Sequence, residues 1–263
     1  MYHGKTIGVV IPAHNEAPSI AAVINDLQSL GDVVDHIVVC DNASSDGTAD
    51  IAAAAGATVT SEPQKGYGAA CLKALAVLPD VDWIVFVDGD RAMDAKDLPR
   101  LLDELAEGAQ LVIGSRTLGE QAGRLESGAL TPHQRSGNWL AAAILSAIWL
   151  RGRKEKVTDL GPFRAIAQSD LATLNMQDQA YGWTVEMQAK ALDAGMQVVE
   201  VPVASLHRIG VSKISGTWRG SLGASFGILG TLAKIGVPAL WAQLLQSTKI
   251  ESQQKDSFWK KPS

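Results

Sequence analysis

A chain of 263 residues with 46% hydrophobic, 5% aromatic and 19% charged side chains carries enough apolar material for one large packed domain, which excludes a disordered polymer. Its formal net charge of −5 supplies no basic field for nucleic acid. Two cysteines, Cys40 and Cys71, lie in apolar runs and read as buried thiols of a reducing compartment, so a disulfide scaffold is excluded.

Strand-like apolar runs occur at 7–11, 36–40, 58–60, 83–87 and 111–113, separated by helix-period segments at 19–30, 48–55, 68–78 and 98–107. Continuously apolar strands alternating with helices of this length predict a parallel sheet covered on both faces. Ser19 and the Asp46-Gly47-Thr48 turn are the expected helix caps. After residue 114 the rhythm changes. A Gly-rich loop (118–131) precedes an apolar helix (139–150) and the basic turn "RGRKEK"; a strand (163–167), a helix (184–194) and a strand (198–203) follow. The helix at 139–150 is shorter than the roughly 20 residues a membrane span requires. The apolar stretch 222–245 contains Lys234 and Pro238 and reads as interfacial or dimer-forming rather than spanning. One domain is expected over 1–220, with a C-terminal apolar helix and polar tail over 221–263. The opening residues pass straight into a strand, so no secretory signal is expected.

In an open parallel α/β sheet, ligands bind beyond the carboxyl ends of the strands. The first strand ends in "IPAHNEA", bringing Asn15 and Glu16 to that edge; the second ends in Asp41, with Asp46 following; the fourth ends in "VDGD", Asp88-Gly89-Asp90. A carboxylate at the end of a buried strand is costly without a partner. Two of them flanking a glycine suit a hard divalent ion, Mg²⁺ or Mn²⁺, that arrives with a diphosphate. Asp46 reads equally well as a turn and capping residue. Competing motifs fail. "GKT" at 4–6 precedes its strand, no Gly-x-Gly-x-x-Gly follows the first strand, the five histidines lack ligand spacing, and no Gly-x-Ser-x-Gly turn occurs.

The motifs "VIPAHNEA" (10–17), "CDNASSDGTADIA" (40–52), "QKGYGAACLKAL" (64–75), "FVDGD" (86–90), "VIGSR" (112–116), "GPFRAI" (161–166) and "VPVASLHRIGVSKISG" (201–216) are each weak alone. In this order and spacing, the chain resembles the family-2, GT-A-type glycosyltransferases, and within them the dolichol- or polyprenyl-phosphate mannose and glucose synthase branch. The resemblance implies an α/β, GT-A nucleotide-diphospho-sugar transferase fold, with a mostly parallel central sheet, helices on both faces and a C-terminal helical elaboration. It implies an inverting, metal-dependent hexosyltransferase that uses a nucleoside-diphosphate sugar and Mg²⁺ or Mn²⁺. The acceptor is a polyprenyl phosphate or, alternatively, a soluble alcohol or acid; a non-catalytic nucleotide-sugar-binding subunit is the other alternative. The implied setting is cytoplasmic, peripheral on the cytoplasmic face of a membrane, with a homodimer as one option.

Residue by residue, the resemblance assigns Pro12, Ala13, Asn15, Glu16 and Asp41 to the base and ribose, and Lys65 and Gly66 to the side of the nucleotide. Asp88, Gly89 and Asp90 match the family's Asp-x-Asp, with Asp88 and Asp90 as metal ligands. Arg116 and Arg164 join Asp90 in the catalytic set. Arg135, Arg208, Ser212 and Lys213 meet phosphates on the acceptor side. Glu186 is either a general base or the partner of Lys190 in an i,i+4 ion pair. Two departures stand out: Ala92 and Met93 occupy positions where the family often has Gln-His, with Asp94 the candidate to compensate, and Gly161-Pro162 replaces the usual Ser-Gly before Phe163-Arg164.

Overall fold

The computed structural model describes residues 1–126, 129, 131–150, 156–209, 227–241 and 245. Seven strands form one sheet in the order β3-β2-β1-β4-β6-β5-β7. They are β1 (Ile7–Ala13), β2 (His36–Asp41), β3 (Thr58–Ser61), β4 (Trp83–Phe86), β5 (Leu111–Ser115), β6 (Arg164–Ala167) and β7 (Val198–Pro202). The first four pair in parallel, β6 runs antiparallel between β4 and β5, and β7 returns parallel to β5. All seven residues of β1 are buried, the mark of a strand covered on both faces.

The helices are α1 (Ile20–Gln28), α2 (Thr48–Ala54), α3 (Tyr67–Leu75), α4 (Leu98–Ala106), α5 (Arg116–Gln121), α6 (Pro132–Trp149), α7 (Gln168–Leu174) and α8 (Trp183–Asp193). Strand alternation decides which helices meet which face. Val9 and Ile11 of β1 pack with Ile24 and Leu27 of α1 and Leu101 and Leu102 of α4; Val10 packs with Cys71 and Ala74 of α3 and Met187 of α8. The spacing Leu98, Leu101, Leu102, Leu105 gives α4 a single buried stripe, each leucine stabilising the fold by about 1.5–3 kcal/mol. Gly8 leaves room for the end of the α3 segment: an added Cβ would lie 2.8 Å from Leu78. Cys40 and Cys71 are free and buried.

Several expectations shift. The apolar helix begins at Pro132 rather than 139, and the stretch read as a Gly-rich loop from 118 opens inside α5. The short α7 carries too little apolar periodicity to register in the sequence. Ser19 does not cap α1; its hydroxyl donates to the Gly89 carbonyl at 2.7 Å. Residues 227–241 are helical and pack on α6 and α8, with Leu232 buried beside Ala142, Leu145 and Ala189. Among the described residues no helix is long and apolar enough to cross a membrane. The expected boundary at 220/221, Ser212, Lys213 and much of the tail lie outside the described residues.

Candidate active site

The carboxyl ends of β1, β2 and β4 lie side by side, because Ala13 pairs with Asp41 and Val10 with Phe86. Past these ends the backbone turns sharply: Asn15, Ala43 and Arg91 all take positive φ (53°, 56° and 59°). Non-glycine residues at such angles cost free energy and concentrate at functional sites. Asn42 fastens the corner. Buried, it accepts from Gly66 N–H at 2.8 Å and donates to the Glu62 and Gln64 carbonyls, tying β2 to the 62–66 loop. Asp46 spends its carboxylate on Thr48 and on Ala17 N–H, which is the turn-holding role. Asp41 differs: its Oδ1 is buried with no hydrogen-bond partner. A buried, unsatisfied acceptor at a sheet edge is costly unless a ligand's donor meets it.

Asp88 and Asp90 follow β4 directly. Burial, and then the Asp90 charge, push the Asp88 carboxyl up to about 7. The Tyr67 hydroxyl donates to Asp88 Oδ1 at 3.0 Å. Asp90 Oδ1 accepts from Ala92 N–H at 2.9 Å, and Oδ2 pairs with Arg208 at 2.8 Å. Arg208 is delivered by a short backbone ladder: Met93 bridges Ser205, Leu206 N–H donates to the Ala92 carbonyl, and Ile209 N–H to that of Asp90. The departures at Ala92 and Met93 therefore have a structural use, since Met93 is a buried core residue. Asp94 caps the turn that leads into α4 by accepting from Lys96 N–H. No cluster of three candidate metal ligands occurs among the described residues. Two carboxylates this close at one strand end fit a hard cation whose remaining ligands come from substrate phosphates and water.

Arg116, at the start of α5, donates to the buried Asp159 from its backbone N–H at 2.7 Å, from Nε at 2.9 Å and from Nη2 at 2.7 Å. Burial works to raise the Asp159 carboxyl, but the guanidinium outweighs it and holds the group below its usual range. Burial likewise opposes the Arg116 charge, and Asp159, then Asp88 and Asp90, more than restore it. A cavity of about 210 Å³ opens beside Arg116, lined also by Thr117, Glu120, Arg135, Asn138, Trp139 and Thr158. Arg135 pairs across it with Glu120. Trp139 stands 69% exposed on its wall.

Two expected catalytic residues are engaged elsewhere. Arg164 is buried, and its guanidinium donates to the Gly161 and Thr184 carbonyls at 2.7 and 2.5 Å; burial lowers it to about 10. Glu186 is buried too, with its oxygens receiving Gln177 and Asp178 N–H and the Lys190 ammonium at 2.7 Å. It clamps the 177–180 loop, which in turn lies over the start of α3: Gly68 N–H donates to the Ala180 carbonyl and Ala69 N–H to that of Gln179. Gly66 and Gly68 are small for this reason, since an added Cβ would lie 2.0 Å from the Gln179 oxygen or 1.9 Å from that of Asp178. Lys65 is exposed beside them. Sequence reasoning missed Asn42, Tyr67 and Glu120. Of these only Tyr67 carried a signal, an aromatic set between two glycines.

The model of glycosyl transferase family 2 matches residues 8–171, from β1 into α7. The chain belongs to glycosyl transferase family 2. An uncharacterized glycosyltransferase of Mycobacterium tuberculosis is 35% identical over 223 residues, 83% of this chain and 94% of the relative. A dolichyl-phosphate hexose transferase of Haloferax volcanii is 29% identical over 215 residues, 81% of this chain and 88% of the relative. The crystal structure of glucosyl-3-phosphoglycerate synthase from Mycobacterium tuberculosis, in complex with Mn²⁺, UDP and phosphoglyceric acid, superposes with a TM-score of 0.68 at 25% identity, covering 88% of this chain and 78% of that one. The same synthase also crystallised with Mg²⁺ and UDP. This family-2 glycosyltransferase therefore has the GT-A fold, and its site has the carboxylate pair suited to a divalent cation.

Proposed function

We propose that this glycosyltransferase moves a hexose from a UDP-sugar, held with Mg²⁺ or Mn²⁺ at Asp88 and Asp90, to an acceptor bearing a phosphate or carboxylate. The observation that carries the reading is the meeting of three parts at one sheet edge: the Asp88/Asp90 pair, Arg208 on Asp90, and Arg116, held by Asp159 on the wall of the 210 Å³ cavity and stabilised in its charged form by both acids. The buried, unpartnered oxygen of Asp41 supports a role for that carboxylate in accepting from a base or ribose donor. Bound there, the cation offsets charge building on the departing diphosphate. Arg208 and Arg116 add fixed positive charge for the same purpose. Glu186 is occupied by the 177–180 loop, so an acceptor oxygen that is already anionic, needing no general base, suits the site best.

The anionic acceptor has two sources. A soluble phosphorylated acid is supported by the phosphoglyceric acid bound to the structural neighbour and by Arg135, Asn138, Thr117 and Thr158 of the cavity, where Glu120 already pairs with Arg135. Attack by a hydroxyl of such an acid, rather than by an anionic oxygen, would require a general base. A polyprenyl phosphate on a membrane surface is favoured by a different observation, the exposed Trp139 and Leu140 at 69% and 44%, together with the archaeal dolichyl-phosphate relative.

The test begins with thermal shift. Mn²⁺ plus UDP should raise the melting temperature by more than the sum of either alone; the absence of any shift at millimolar concentrations of both overturns the donor reading. Labelled UDP-hexose is then offered with 3-phosphoglycerate or with polyprenyl phosphate in detergent. Label in a new aqueous anion, resolved from UDP-hexose and formed only when 3-phosphoglycerate is added, supports the soluble acceptor, and label in the organic phase supports the lipid one.

A further inference from the structure

We propose that Tyr67 is a positioning residue for the metal-binding carboxylate, its hydroxyl holding Asp88 Oδ1 so that Oδ2 alone is turned toward the cation. The inference rests on the metal reading above and deepens it. A ligating carboxylate that is itself hydrogen-bonded keeps its plane and presents one oxygen; losing such a supporting partner typically costs about 10–100-fold in metal affinity.

The phenol suits the task because its own backbone is fixed from two sides. Gly66 N–H is held by Asn42 at 2.8 Å, and the next turn is held by the 178–180 segment through Gly68 and Ala69 N–H, both at 3.0 Å. That segment follows the two backbone N–H groups that Glu186 grips, at Gln177 and Asp178. Its carbonyls approach so closely that residues 66 and 68 must both lack a Cβ. The ring packs against the core formed by Val10, Cys71 and Phe86, which limits its rotation. A chain of contacts thus runs from Glu186 through the 177–180 loop and the first turn of α3 to Tyr67, and ends on Asp88. This accounts for the contacts of the buried Glu186 on α8, and for the aromatic between two glycines in "QKGYGAA".

The experiment compares wild type with Tyr67→Phe, which removes one oxygen and keeps the ring. Mn²⁺ affinity in the presence of saturating UDP is read by calorimetry. Activity is titrated with Mn²⁺ where transfer is measurable, and folding is checked by thermal unfolding in EDTA. The expected result is a Mn²⁺ dissociation constant raised about 10–100-fold, with the metal-free melting temperature close to wild type. A purely structural role would lower the melting temperature and leave the metal constant unchanged. Gly68→Ala is the second arm: it keeps the phenol but forces the 178 carbonyl away, and it should weaken Mn²⁺ in the same direction. A Mn²⁺ constant within twofold of wild type in folded Tyr67→Phe overturns the inference while leaving the proposed function standing. Wild type that binds no Mn²⁺ with UDP overturns both.

Discussion

Asp159 is the best place to test the electrostatic frame of the site. It is 1% exposed, its partner Arg116 is 22% exposed, and three hydrogen bonds of 2.7–2.9 Å join them. Removing one partner of a buried pair costs about 3–5 kcal/mol, because the other charge is left without compensation. Arg116 keeps some solvent, so Asp159→Ala should fall near the lower end, about 3 kcal/mol. At about 2–4 °C per kcal/mol for a domain of this size, the melting temperature should drop by about 6–12 °C. Urea unfolding at neutral pH measures the loss directly. A pH series adds a sign. Because the folded Asp159 carboxyl is depressed below its ordinary 3.8, its contribution is present above that value and lost as the pH falls through the lower folded value. The difference between wild type and Asp159→Asn should therefore hold from neutral pH down to about pH 5 and shrink below about pH 4. A destabilisation under about 1 kcal/mol, or a difference that widens on acidification, would refute the reasoning.

Asp90→Asn removes a ligand charge at nearly constant volume, so metal-dependent transfer should vanish while the circular dichroism spectrum stays that of wild type; activity retained in EDTA would remove the metal assignment. Asn42→Ala strands the Gly66 N–H and the Glu62 and Gln64 carbonyls. It should cost about 1–3 kcal/mol in urea unfolding, with weaker UDP binding because the 62–66 loop is released. The anomeric configuration of the product from an α-linked donor, read by NMR, should be β, as a single displacement requires.

The parallel half of the sheet was legible because buried strands of four to seven residues leave uninterrupted β-branched runs, and because charged residues appear only where those runs stop. The same logic gave Asp88 and Asp90 without the structure. Other parts were closed to it because they depend on pairings between residues far apart in the chain. Nothing near Arg164 announces that it begins an antiparallel strand and donates to carbonyls on both sides, which makes it look identical to an arginine aimed at a phosphate. Glu186 is similar: its i,i+4 lysine was visible in the sequence, while the backbone N–H groups of 177 and 178 were not. Ser19 looked like a cap because serine before an apolar run usually is one, but its hydroxyl found a stronger claim in the Gly89 carbonyl.

The antiparallel β6 also bears on how the protein is made. When the ribosome has released residues 1–86, β1 to β4 can already assemble, since all their pairings lie within that length. The outer edge of β4, Trp83-Ile84-Val85-Phe86, then has to wait for Arg164–Ala167 to cover it. Until then a nascent chain carries an apolar, unpaired strand edge, the kind of surface that recruits another copy. Fragments that stop before residue 164 should accordingly precipitate during expression, whereas chains carried through β6 have that edge covered.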